Sequence, residues 1–171
     1  MKNNAIMSIF IGAVIAPACG QWVDLPADPD ELRNIIKEVQ AESDCEEVMI
    51  SDYEGAIECS EYANIFDLNE QAEELADLSD DDLEIIKAIQ TECGYCFEEA
   101  RDVYESGDFC MYYDCYNMTD VAYQICEECG ILDSIPEDLR GYFDYEAYGR
   151  DLDINGRFYY IGDGRYIELY D

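Results

Sequence analysis

Carboxylates run along this chain at almost constant density, and that spacing constrains the fold more than any single motif. The sequence has 171 residues, with 42 Asp plus Glu against 9 Lys plus Arg and a formal net charge of −33. Residues 1–61, 62–106 and 107–171 carry net charges of −10, −12 and −11. No segment is spared, so every element must hide an apolar stripe behind an acidic face. Such acidity could leave a chain unfolded, yet 49% of the residues are apolar and 13% aromatic, enough to build a core. The charge also excludes functions. An anionic surface is repelled by DNA and RNA, whose binders neutralise phosphates with Lys and Arg. With no histidine, Ser-His and Cys-His nucleophile pairs are absent and the commonest transition-metal ligand is missing.

The punctuation of the chain predicts an α+β fold in three small units, 1–62, 63–106 and 107–171, packed end to end into an elongated molecule. In the first unit Ile9, Phe10, Ile11, Val14 and Ile15 read as a buried strand entering a turn, with Trp22 to Leu25 as its partner. The same stretch imitates a secretory signal, with Lys2 before an apolar run to Ala18; Ser8, Gly12 and Pro17 interrupt that run, and nine cysteines leave one unpaired in any disulfide framework. Asp28-Pro29-Asp30-Glu31 starts a helix with Asp28 as cap and Glu31 closing a capping box, and Leu32, Ile35, Ile36 and Val39 give its apolar stripe. Val48 to Asp52 is a strand. The middle unit is helical: Leu68, Ala72 and Leu75 mark one helix, and Ser79 with Asp82 caps the next, whose core is Leu83, Ile86 and Ile89. A third helix runs from Tyr95 to Glu105 and stops at Gly107. The last unit is mixed, with a strand at Phe109–Tyr113 and a helix from Asp120 to Cys129. A further helix opens at Ser134-Ile135-Pro136-Glu137 and reaches Tyr148, and a closing β-meander turns at Asn155-Gly156 and Gly162-Asp163-Gly164.

Three patterns suggest chemistry, each beside a plainer reading. Cys93-Gly94-Tyr95-Cys96 and Cys126-Glu127-Glu128-Cys129 could supply four thiolates to a structural zinc, or could be small core residues, since Cys126 and Cys129 extend the stripe of Ala122 and Ile125. Asp151-Leu152-Asp153-Ile154-Asn155-Gly156 matches the first six positions of a calcium loop, but Gly162 stands where the bidentate Glu belongs. A hairpin with an Asn-Gly turn explains the same residues. Paired carboxylates of a glycosidase carry no information here, because so many acids guarantee close pairs. The chain therefore reads as no enzyme and as using no cofactor, with an acidic zinc- or calcium-binding module as the alternative.

The charge suggests a function of its own. B-DNA carries one negative charge per ~1.7 Å, so a charge of this size corresponds to on the order of 55 Å of duplex. An enzyme groove lined with Lys and Arg would accept such a surface in place of DNA. The exposed acids that would stand in for phosphates are Asp67, Glu70, Glu73, Glu74, Asp77, Asp80, Asp81, Asp82, Glu84, Glu98, Glu99 and Asp102. A merely soluble acidic domain would have the same composition.

Residues Ile131 to Leu152, and above all Tyr142-Phe143-Asp144-Tyr145-Glu146-Ala147-Tyr148-Gly149-Arg150-Asp151-Leu152, resemble the antirestriction motif of the ArdA antirestriction proteins. Gly20-Gln21-Trp22-Val23-Asp24-Leu25-Pro26 is similar to that family's early Gly-x-Trp strand, Ile50-Ser51-Asp52-Tyr53-Glu54 to its Asp-Tyr-Glu segment, and Tyr166-Ile167-Glu168-Leu169-Tyr170 to its closing strand. The loop before Trp22 is shorter than the family's, and the family uses no CxxC pair as a metal site. The resemblance implies a cytoplasmic protein of mobile elements that blocks type I restriction-modification enzymes by imitating their bent target duplex; the charge argues against nucleic acid as a partner, and no stretch reaches the roughly 18 apolar residues of a membrane span. It implies a curved homodimer in which the motif, here Asp138, Tyr142, Phe143, Asp144, Tyr145, Glu146, Tyr148, Arg150 and Asp151, forms the subunit contact. The same aromatics could instead pack the last helix against the meander. The resemblance also makes Ile9-Phe10-Ile11 a first strand rather than a leader.

Overall fold

Strand alternation and helix caps account for most of the architecture, which is mixed α+β. The computed structural model describes residues 5–170 and divides into two compact units, one ending at Ala100 and the other beginning at Arg101.

In the first unit β1 (Met7–Ala13) lies between β2 (Ala16–Leu25) and β3 (Val48–Gly55), antiparallel to both. Met7, Ile9 and Ile11 are buried, with Val23, Leu25 and Ile50 beside them. Each such side chain contributes roughly 1.5–3 kcal/mol by leaving water. Ser8 and Phe10 alternate to the opposite face. Ile9 faces Tyr53 but Ile11 faces Ile50, so a bulge at Ser51 shifts the register of β3. The first strand and its Trp22–Leu25 partner thus match expectation, whereas Ile15 is 71% exposed in the turn between them.

Helix α1 (Pro29–Ser43) starts where the sequence predicts, and the Asp28 carboxylate accepts the amide N–H groups of Asp30 and Glu31. The cap is Asp28's own, and the reciprocal box forms at Ser79 and Asp82, where α3 (Asp80–Thr91) begins. Ahead of it, α2 (Ile65–Glu74) is capped by Asn64. Two buried polar side chains tie these helices to the rest of the unit. Asn69 accepts from the Ala27 N–H at 2.7 Å and donates to the Ala27 carbonyl at 3.1 Å. Gln90 accepts from the Glu58 N–H at 3.1 Å and donates to the carbonyls of Ala56 and Ile86. Helix α4 (Phe97–Ser106) runs across the boundary between the units and ends at Gly107, whose φ of 72° suits glycine.

The second unit holds β4 (Phe109–Tyr112), α5 (Met118–Glu128), a 3-10 turn (Ile131–Ser134), α6 (Glu137–Arg140), α7 (Tyr145–Asn155), β5 (Phe158–Gly162) and β6 (Arg165–Leu169). Its core joins Tyr112, Cys115 and Val121, with Ile125, Phe158 and Tyr166 packed around them. Three expectations are corrected here. The helix from Ser134 to Tyr148 is two helices, because the chain breaks at Gly141 and Asp144 caps a new start by accepting the Ala147 N–H. The meander is a single hairpin, β5–β6, whose third strand β4 comes from before α5. Asn155-Gly156 is no hairpin turn: it ends α7.

Candidate functional site

The twelve acids expected on the helices lie on the outer faces of α2, α3 and α4 and on the turn at Asp77. All are exposed except Asp82, which is half-buried because its carboxylate closes the Ser79 capping box. The cause is local. The apolar positions Leu68, Ala72, Leu83, Ile86 and Ile89 take the inner stripe and leave the remaining positions to solvent. Some carboxylates have partners and stay exposed: Glu73 accepts from Asn69, Glu98 from Gln71, Glu99 from the Cys96 N–H, and Asp102 pairs with Arg101 at 3.1 Å. Asp67 and Glu98 meet around an open hollow of about 310 Å³ that Glu58 also lines, and Asp80 and Glu84 share another with Lys87. Asp80, Asp81 and Asp82 stand at the start of α3, where the helix dipole favours negative charge.

The stretch that resembles the antirestriction motif covers α6, the turn into α7 and most of α7 itself. Phe143 sits at its centre, 5.0 Å from Tyr145 and 5.7 Å from Tyr148 between ring centroids, and Tyr145 reaches Tyr123 of α5 at 5.2 Å. Gly149 is buried where α7 crosses α5, and a Cβ there would overlap the Met118 carbonyl. Burial pushes the Tyr148 phenol above its ordinary pKa, with the Cys126 and Cys129 thiols and Glu168 acting the same way. Three of the nine motif residues, Phe143, Tyr145 and Tyr148, are therefore packing. The other six face water: Tyr142 is 85% exposed, and Asp138, Asp144, Glu146, Arg150 and Asp151 are exposed too.

The second unit also holds an acidic hollow of about 450 Å³, lined by Asp114, Asp120, Glu127 and Glu128 with Tyr113 and Tyr123, which sequence reasoning missed. The spacing of Asp120, Glu127 and Glu128 on one side of α5 is the signal that could have found it. Asn69 and Gln90 were missed as well, and no local pattern announces their burial.

Neither metal pattern survives as drawn. Asp151 to Asn155 is helical, so the six residues form no calcium loop. Cys126 is buried, but Cys96 and Cys129 are exposed, which corrects the reading of both CxxC pairs as core residues. No group of three or more Cys, Asp or Glu among the described residues is placed to hold a metal ion. Burial pushes the Cys115 and Cys126 thiols up, the opposite of what activation requires. No helix among the described residues is long and apolar enough to cross a membrane.

Fold and surface together define an acidic α+β protein whose exposed chemistry is carboxylate around a small aromatic cluster. The profile of the antirestriction protein (ArdA) family matches residues 17–167, nearly the whole chain, and the chain belongs to that family. Membership implies antirestriction directed at type I restriction-modification enzymes, and the family is one of inhibitors. No curated protein matches the chain significantly.

Proposed function

We propose that this protein blocks type I restriction-modification enzymes by entering their DNA-binding groove as a substitute for duplex DNA. The observation that carries the reading is the exposure of the α2–α4 carboxylates, which the fold holds at regular helical spacing outside an apolar core. On these helices Arg101 pairs with Asp102 and Glu105 close by in sequence, and Lys87 of α3 stands exposed beside Asp80 and Glu84. A groove built to neutralise phosphates gains the same counterion release from carboxylates. Competition against DNA on a type I methyltransferase core tests the reading. Inhibition should weaken by on the order of 10³-fold between about 50 and about 200 mM salt, whereas single Asp→Asn changes at Asp80, Asp81 or Asp82 should matter less than about 3-fold. Inhibition unaffected by salt would refute it.

The motif serves as the contact between two copies in this reading. Phe143, Tyr145 and Tyr148 are fixed from within, and Tyr142 offers the exposed aromatic surface that interface centres favour. Tyr142→Ala should leave the fold intact and give monomers that inhibit poorly, as read by sedimentation and by the competition assay. A fully potent monomer would sink the dimer.

A further inference from the structure

Only one face of the first sheet is core. On the other, Phe10 of the central strand lies opposite Trp22 of β2 and Asp52 of β3, and Ser8 lies opposite Asp24 and Glu54. The contacts place the pairs side by side: the Phe10 and Trp22 rings meet edge to face at 5.6 Å, and Ser8 donates to Asp24 at 2.6 Å. Trp22 is 46% exposed, and Asp24, Asp52 and Glu54 are all exposed. The β1, β2 and β3 strands contain neither Lys nor Arg. An indole thus stands on an open pleated surface, rimmed by three carboxylates and by no cation of its own strands.

We propose that this face receives an arginine side chain of the inhibited enzyme, with its guanidinium over the Trp22 indole and its charge met by Asp24, Asp52 and Glu54. The proposal rests on the reading that the partner presents a basic groove. Complementarity names the occupant: the rim is anionic with no cation on its own strands, so it matches a cationic side chain of a basic partner, and the platform is aromatic, so a flat and weakly hydrated cation is preferred to an ammonium. The same unit already shows such a contact, with the Arg33 guanidinium carbon 5.5 Å from the Phe66 ring centre. The cross-strand pairing of Phe10 with Trp22 helps the sheet, but a Leu in place of Trp22 would also pair there. What Leu lacks is the quadrupole of the neutral ring, whose negative face attracts a cation.

Trp22 is the only tryptophan, so 5-fluorotryptophan incorporation gives one fluorine resonance that reports this face alone. On adding a type I methyltransferase core the resonance should shift or broaden, and Trp22→Leu should weaken inhibition about 10-fold with Trp22→Phe in between. Titration with hexa-arginine should move the resonance further than hexalysine of equal charge. If the core is inhibited with its full salt dependence while the resonance stays still and Trp22→Leu inhibits normally, the arginine site is overturned and the DNA-like reading stands. Equal shifts with the two peptides overturn the stacking, and a shift that grows with the protein's own concentration assigns the face to a second copy. A wild-type chain that fails to inhibit at about 50 mM salt overturns both readings at once.

Discussion

At the scale of single residues, the tightest constraint in the motif is the missing side chain of Gly149. Alanine is the better helix former by about 1 kcal/mol, but its Cβ would press into the Met118 backbone carbonyl, which cannot swing aside as a flexible side chain would. Overpacking costs about 1–3 kcal/mol, so the clash wins. Gly149→Ala should lower the melting temperature of the second unit by a few degrees in calorimetry. A second residue-level effect concerns alkaline pH. The Cys59 thiol is pushed from 9.0 to about 11 by burial and Glu58. The Tyr53 phenol is pushed from 10.0 to about 12, chiefly by its hydrogen bond to the Glu58 carboxylate at 2.6 Å. Both folded values lie above the unfolded ones, so the folded chain keeps these protons longer. Their contribution is fully present below about pH 9 and is lost as pH rises to about 12. Urea midpoints at pH 8, 10 and 11 should fall in that order, and Glu58→Gln should flatten the decline.

Elements are decided by caps, pairing partners and the competition between them. Asp144 begins α7 through its carboxylate, so Asp144→Ala should cost about 0.5–2 kcal/mol while Asp144→Asn, which keeps the acceptor, costs little. Equal losses in the two variants, read from denaturant curves, would show that charge and not capping is what matters there. Caps act between residues close in sequence, which is why Asp28, Ser79 and Asp82 are legible in the amino-acid order alone. The break at 141–144 is not, because Ser134-Ile135-Pro136-Glu137 offers one start and Asp144 another, and both are used: a short α6 ends at Gly141 before α7 begins and packs Gly149 on α5. The strand β4 is recognisable but its neighbour is not, since pairing with β6 spans more than fifty residues and leaves no periodic trace. Of the site, acid exposure can be read directly, as carboxylates rarely bury. The Trp22 face cannot, because it depends on the registers of three strands.

For the whole molecule, the excess of negative charge acts in two opposite directions. Within the chain it is self-repulsion, so added salt should raise stability. Toward a basic partner it is attraction, so the same salt should weaken inhibition. Melting temperature and inhibition measured in one salt series should therefore diverge. If both fell together, charge would be holding the fold through specific ion pairs, and the pairs Arg33–Asp30, Arg101–Asp102, Arg101–Glu105, Arg140–Asp133 and Arg165–Asp163 join sequence neighbours rather than distant elements.

That local pairing of the arginines has an evolutionary corollary. Because Arg33, Arg101, Arg140 and Arg165 find acids within a few residues, these ion pairs need no carboxylate on a distant element, and selection can move, add or drop exposed acids that neither cap a helix nor accept a hydrogen bond from another element. The opponent has no such freedom on the reading proposed: a restriction enzyme that weakened its groove to escape would loosen its hold on its own substrate. Drift is inexpensive for the inhibitor and hazardous for its target.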